Sequence, residues 1–374
     1  MIPVCEPTLI GNEAKYVKDC LDTNWISSNG KYIEEFEDAF SKFCNTKYGV
    51  SCCNGTAALH LALKALGIGK GDEVIIPTFT MIATCNSVIY SGAKPVLVDS
   101  EAETWNIDHN KIEEKINKNT KAIMPVHIYG HPVDMDAIKK IAEKYHLDVI
   151  EDAAEGHGAE YKGKKIGSLS DVAAFSFYAN KIITTGEGGM IVTNNEKIAE
   201  KAKSLRNHAF GKPRFIHTEV GFNYRMTNIQ AAIGLAQTEN ADKLVEARIR
   251  NAATYNKLLK NIKGLTLPPK KEWAKNVYWM YGVLIEDDFG LNMEEVREEL
   301  MKSGVDTRAF FIPMHKQPAF IKEDELFPNI HGSYPVSEQL SNKGLYLPSS
   351  SSLTEAQIRE ICEIIKSIRE NANG

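Results

Sequence analysis

No stretch of this chain is apolar for long enough to cross a bilayer, and the first residues, "MIPVCEPTLIGNEAKYVKDC", lack the basic start and apolar run of an export signal. A cationic surplus is missing as well. The 44 Lys and Arg residues against 49 Asp and Glu leave a formal net charge of -5, which gives no electrostatic footprint for duplex nucleic acid or anionic lipid. Cysteine is sparse: the seven residues are scattered, Cys52 and Cys53 are the only close pair, and no C-x-x-C spacing occurs. That excludes a disulfide scaffold and points to free thiols in a reducing compartment. No G-x-x-x-x-G-K-[ST] loop is present, which disfavours nucleotide hydrolysis. No H-x-x-x-H or H-E-x-x-H spacing links His127, His157 and His315 to one another, so no metal is expected. The expectation is a soluble cytoplasmic protein without a nucleic-acid or membrane partner.

What is present alternates. "GDEVIIP", "AKPVLVD", "TKAIMPVH", "LDVIED" and "VAAFSF" are short runs rich in branched or aromatic residues, and helical patterns such as "DMDAIKKIAEKYH" separate several of them. This predicts an α/β fold, a mostly parallel sheet with helices on both faces. Residues 227–262 are helical by period, and beyond them "VYWMYGVLIE", "EEVREELMKSG" and "TEAQIREICEIIKSIRE" suggest a compact α+β unit of about 110 residues. The expected division is a large α/β domain over 1–250 and a small α+β domain over 251–374.

Three stretches could carry chemistry. "LDVIED" ends a strand on Asp152, where ligands sit in open α/β sheets, although Asp at a strand end also serves as a cap or turn residue. "NGTAALHLAL" places the N–H groups of a helix start beside the Thr56 hydroxyl, which suits either a phosphate or a plain N-cap. "FSFYANKIITTGEGGM" sets Ser176 near a strand end and Lys181 on the following loop, ahead of glycines that let backbone approach a bound group. A lone lysine on a loop is ordinarily solvated charge, so its significance rests on the combination.

That combination resembles the DegT/DnrJ-type nucleotide-sugar aminotransferases. Their landmarks follow in order from about Trp25 to the C-terminal helix: "WISSNG", "NGTAALHLAL", "PTFTMIAT", "VLVDSEAETWNID", "VHIYGHPVDMDAI", "IEDAAEGHGA", "FSFYANKIITTGEGGM", "GFNYRMTNIQAAIG" and "PMHKQP". The resemblance implies the fold type I architecture of aspartate aminotransferase and pyridoxal 5'-phosphate as cofactor. It makes Lys181 the lysine that carries the cofactor and Asp152 the carboxylate paired with the pyridine nitrogen. A lysine in this role must lose its proton, and lysine does so readily when desolvated. The resemblance further implies Gly55, Thr56 and Ser176 as phosphate ligands, and Asn223 as a phosphate ligand supplied across a homodimer. It implies Arg225 for the carboxylate of the amino donor, and Arg308 and His315 for the sugar nucleotide. Met81 stands where many members stack an aromatic ring on the cofactor, and Glu155 where they often carry Gln or His.

The implied activity is transamination in two halves, from L-glutamate to a nucleotide-linked keto-sugar, with Lys181 as proton shuttle. Within the family, "TFTMIAT", Glu155 and "AFFIPMHKQP" look most like the GDP-perosamine synthases, which aminate C4 of GDP-4-keto-6-deoxymannose. A UDP- or dTDP-4-keto-6-deoxy sugar is the alternative substrate. Lys181 argues against a sugar 3-dehydratase, in which histidine replaces it, and a non-catalytic cofactor-binding protein of the same fold is the rival from another class.

Overall fold

A computed structural model describes residues 1–322 and 324–372. Its centre is a seven-stranded sheet of β1 (Tyr48–Cys52), β2 (Glu73–Pro77), β3 (Lys94–Val98), β4 (Thr120–Ile123), β5 (Asp148–Asp152), β6 (Val172–Ser176) and β7 (Gly189–Thr193), in the order β1-β7-β6-β5-β4-β2-β3. The pairings from β6 through β5, β4 and β2 to β3 are parallel, whereas β7 runs antiparallel to both β1 and β6. The five runs singled out in the sequence are the parallel strands β2 to β6. Strands β1 and β7 went unrecognised there because "YGVSC" and "GMIVT" each carry a glycine and lie against turns that contain more of it.

Adjacent residues of these strands bury on opposite faces, as pleating requires. Ile75, Ile123, Val149, Ala173, Phe175 and Val192 enter one apolar cluster, and Val74, Ile76, Ala122, Ile150, Val172, Ala174 and Ile191 the other. A sheet covered on both faces needs such near-continuous apolar strands. One face is covered by α1 (Glu13–Asp22), α2 (Lys31–Phe43), whose Phe36 and Phe40 are fully buried, α5 (Met135–Tyr145) and α7 (Asn228–Glu239), which begins with a Thr227–Gln230 capping box. The other is covered by α3 (Gly55–Ala65) and α6 (Glu196–Arg206).

The helical stretch after residue 227 is broken at Asn240, where α7 gives way to α8 (Ala241–Leu259). Position 250, where the sequence placed a domain boundary, lies inside α8. The first half of this helix packs Leu244 and Val245 into the large-sheet core. The second half packs Ala252, Tyr255 and Leu259 onto a smaller antiparallel sheet formed by β8 (Leu265–Thr266), β9 (Tyr281–Ile285), β10 (Arg308–Ala309) and β11 (Gly344–Leu347). Ile2 joins that smaller core and bridges to Val305. All seven cysteines are unpaired. Among the described residues no helix is long and apolar enough to cross a membrane.

Candidate active site

At the carboxyl edge of the large sheet the chain leaves a cavity of about 710 Å³, a size suited to a cofactor with a small ligand. Gly55, Thr56, Met81, Asp152, Glu155, Ser176 and Lys181 all line it. Each is brought there by a strand end or the turn beyond it: Asp152 closes β5, Ser176 closes β6, and α3 starts three residues after β1.

The start of α3 is built for an anion. The first N–H groups of a helix have no intrahelical acceptor. Asn54 Oδ1 takes that of Ala57 at 2.8 Å, leaving those of Gly55 and Thr56 for a ligand. Glycine is required at 55, since a Cβ there would lie 2.7 Å from Ser176 Cβ and 3.0 Å from its Oγ. The serine hydroxyl therefore stands directly against the helix start. Met81 caps α4 (Ile82–Ser91), its Sδ accepting the Ala83 N–H at 3.0 Å, and its half-exposed side chain faces the cavity.

Asp152 is 4% exposed and held from two sides. Its Oδ2 accepts from Thr84 Oγ1 at 2.8 Å and its Oδ1 from the Ala154 N–H at 3.2 Å. Thr80 Oγ1 lies 2.8 Å from Thr84 Oγ1, and because the Thr84 proton points at the carboxylate, Thr80 is the donor there. Burial raises the Asp152 pKa above the usual carboxylate range, while the Thr84 hydroxyl, the Ala154 N–H and the charge of Lys181 restrain it. Behind it, Glu151 accepts from Ser170 Oγ, from the N–H groups of Gly167 and Leu169, and from His127 Nε2. His127 Nδ1 accepts the Val133 N–H, so the proton of this ring sits on Nε2.

Glu155 stands in the turn after β5 at 3% exposure. Its Oε2 accepts the Tyr129 N–H at 2.6 Å, and its Oε1 has no partner among the described residues. Burial pushes its pKa up to about 7, with the charge of Lys181 as the main opposing influence. Tyr129 is held at φ 52°, and Gly130 follows at φ 98°, where a Cβ would meet the Trp279 nitrogen at 2.9 Å. Only glycine lets the two segments close so tightly.

Burial lowers the pKa of Lys181 against the pull of Glu155 and Asp152, so the loss of hydration outweighs both carboxylates. An amine poised to lose its proton thus shares a cavity with one carboxylate able to hold a cationic ring and another able to hold a proton. His157 is enclosed by Phe40, Phe175 and Phe177, and burial depresses its pKa to about 3, so it stays neutral.

Four expected contacts lie elsewhere on the single chain. Asn223 is exposed and bridges to the Asn207 backbone, and Arg225 Nη1 donates to Asn207 Oδ1 at 2.6 Å, in a second depression beside Arg206 and Glu37. Arg308 pairs with Asp306 at the surface. His315 is 7% exposed, with Nδ1 2.8 Å from Thr78 Oγ1 and Nε2 3.2 Å from Glu338 Oε1, so both ring nitrogens are engaged. His127 and His131 stand four residues apart, but their rings bond to Glu151 and to the Pro132 carbonyl, and among the described residues no group of His, Cys, Asp and Glu could hold a metal.

Sequence reasoning missed Thr84, Asn180, Trp279, Phe311 and Tyr346, which also line the cavity. Thr84 and Asn180 sat inside quoted motifs as unremarked polar residues. The other three come from the small-sheet segments, where "VYWMYGVLIE" reads as an ordinary buried strand.

Residues 7–366 match the model of the DegT/DnrJ/EryC1/StrS aminotransferase family. The chain belongs to that family. It is 48% identical over 364 residues to a GDP-perosamine synthase of Caulobacter vibrioides, covering 96% of each chain, and 44% identical over 368 residues to one of Escherichia coli O157:H7, covering 97% of each. Its structure superposes with a TM-score of 0.91 on the PLP form of a putative sugar aminotransferase from Streptococcus pneumoniae, 27% identical and covered in full on both sides. That likeness extends over the fold type I architecture described above.

Proposed function

We propose that this family member is a pyridoxal-phosphate-dependent aminotransferase that takes the amino group of L-glutamate and delivers it to C4 of a nucleotide-linked 4-keto-6-deoxy sugar. The substrate we assign is GDP-4-keto-6-deoxy-D-mannose, with GDP-perosamine as product, on the strength of the two perosamine synthases that share nearly half of its residues. The observation that carries the chemistry is the meeting of Lys181, Asp152 and Glu155 in one desolvated cavity with the open helix start at Gly55 and Thr56.

These residues fit the cofactor. The N–H groups of Gly55 and Thr56, the Thr56 hydroxyl and the Ser176 hydroxyl would hold its phosphate. Asp152, oriented by Thr84 and Ala154, would hold the proton on the ring nitrogen, and Lys181 would be its covalent anchor. When bound, the cofactor supplies an electron sink for the electrons of the substrate C–H bond. Lys181, once free, would be the group that takes and returns the substrate proton, and burial, which lowers its pKa, favours the neutral amine that this role needs. Glu155, its pKa raised to about 7 by burial, would hold or release a proton beside it. The exposed Asn223 and the half-buried Arg225 are suited to complete the cavity of a second copy, in a homodimer with shared sites.

Incubation with L-glutamate and GDP-, UDP- or dTDP-linked 4-keto-6-deoxy sugars tests the reading. Release of 2-oxoglutarate and an amino sugar on the GDP substrate is expected; turnover confined to a UDP or dTDP sugar would move the substrate assignment. Borohydride reduction of the yellow protein should leave the cofactor's mass on the peptide containing Lys181, and a tag on another lysine would refute the site.

A further inference from the structure

Trp279 precedes β9, is 3% exposed, and reaches the catalytic cavity from the small-sheet side. Its ring centroid lies 3.4 Å from Lys181 Nζ. Its indole N–H donates at 2.9 Å to the carbonyl of Asn180, the residue immediately before the lysine. Its own carbonyl accepts from Arg248 Nη1 at 3.0 Å, and the Asn180 carbonyl also receives the Cys5 thiol at 3.3 Å. The tryptophan is thus fixed through its backbone, while its side chain grips the lysine loop at two points.

Lys181 has four rotatable side-chain bonds, and among the described residues its ammonium forms no close ion pair with Asp152 or Glu155. The indole face is the partner it does have. An ammonium within about 6 Å of such a face is attracted by the ring quadrupole, and more strongly when water is excluded.

We propose that Trp279 is a positioning residue for Lys181: its N–H fixes the loop that carries the lysine, and its ring seats the ammonium whenever the amine is not covalently engaged. This rests on the reading of Lys181 as the reacting amine. A seat of this kind holds the freed lysine beside the reaction centre without neutralising it on a carboxylate. The other groups facing the amine are Asp152, Glu155 and Cys5, which favour its charged form, and the neutral His157.

The test uses the cofactor-free full chain. Lys181 is acetylated with an N-hydroxysuccinimide ester across a pH series, and its labelling midpoint is read by peptide mass spectrometry. Ring-fluorinated tryptophan at 279 keeps shape and N–H but weakens the negative face. The midpoint should then fall by about one pH unit, which is about tenfold faster labelling at a fixed pH below it. Trp279→Phe, with a weaker face and no N–H, should lower it as well, and Trp279→Leu should lower it most. An unmoved midpoint in the fluorinated protein would overturn the proposal, even if the leucine variant failed to fold. Because no cofactor is present, a failure of the aminotransferase assignment shows separately, as absence of the cofactor's mass from Lys181 after borohydride.

Discussion

Replacing Glu155 with Gln isolates the cost of a buried carboxylate beside a buried amine. The amide keeps the shape and still accepts the Tyr129 N–H, so the change is one of charge. Burial raises the Glu155 pKa from 4.5 to about 7. A group whose folded pKa is raised contributes stability that is present below its unfolded value and is lost as pH rises through the folded value. Linkage over that window amounts to about 2–3 kcal/mol between about pH 5 and about pH 8.5. At low pH the Glu155 carboxyl is already neutral and attracts Lys181 no more than the amide does, so the two proteins differ there mainly in what the wild type loses as the pH is raised. The cofactor-free Glu155→Gln protein should therefore gain stability relative to wild type as the pH is raised. Urea midpoints at the two pH values measure this directly. If the two proteins show the same pH dependence, the carboxylate is ionised at no cost and the electrostatic account of the cavity is wrong.

Gly55→Ala should overpack the contact with Ser176 by about 1–3 kcal/mol and push the helix start off the phosphate site, lowering cofactor affinity at least about tenfold by fluorescence titration. Thr84→Val removes one of two donors to Asp152, which costs about 1.5–3 kcal/mol for a hydrogen bond to a charged group; turnover should drop about tenfold or more while cofactor still binds, and unchanged turnover would show that the hydroxyl is idle. Inactive Lys181→Ala and Asn223→Ala subunits, mixed and reassembled, should recover part of the activity if cavities are shared between copies, and no recovery would place Asn223 outside the mechanism.

The parts of the site carried on contiguous motifs were legible because each motif is a strand end with its following turn. The gathering of carboxyl ends in a parallel sheet put Asp152, Ser176 and Lys181 within reach of one another, and the resemblance to the family supplied their expected roles. Trp279 and Tyr346 were not legible, since nothing local separates an aromatic that faces a cavity from one that fills a core. His315 shows the same limit from the other side: its motif is present, yet Thr78 and Glu338, both remote in sequence, engage its ring. Strand β7 was hidden in the glycine-rich stretch that precedes it, and its antiparallel direction is a property of pairing that leaves no mark on composition.

Helix α8 acts as a beam sunk into two walls. Its two halves are cemented into separate apolar masses, and between them Arg248 bonds the carbonyl of Trp279, whose ring lies against the Lys181 amine. Swinging one half of the molecule away from the other would shear both masses and drag that indole off the lysine. A hinge between the two halves is therefore resisted at the very floor of the cavity.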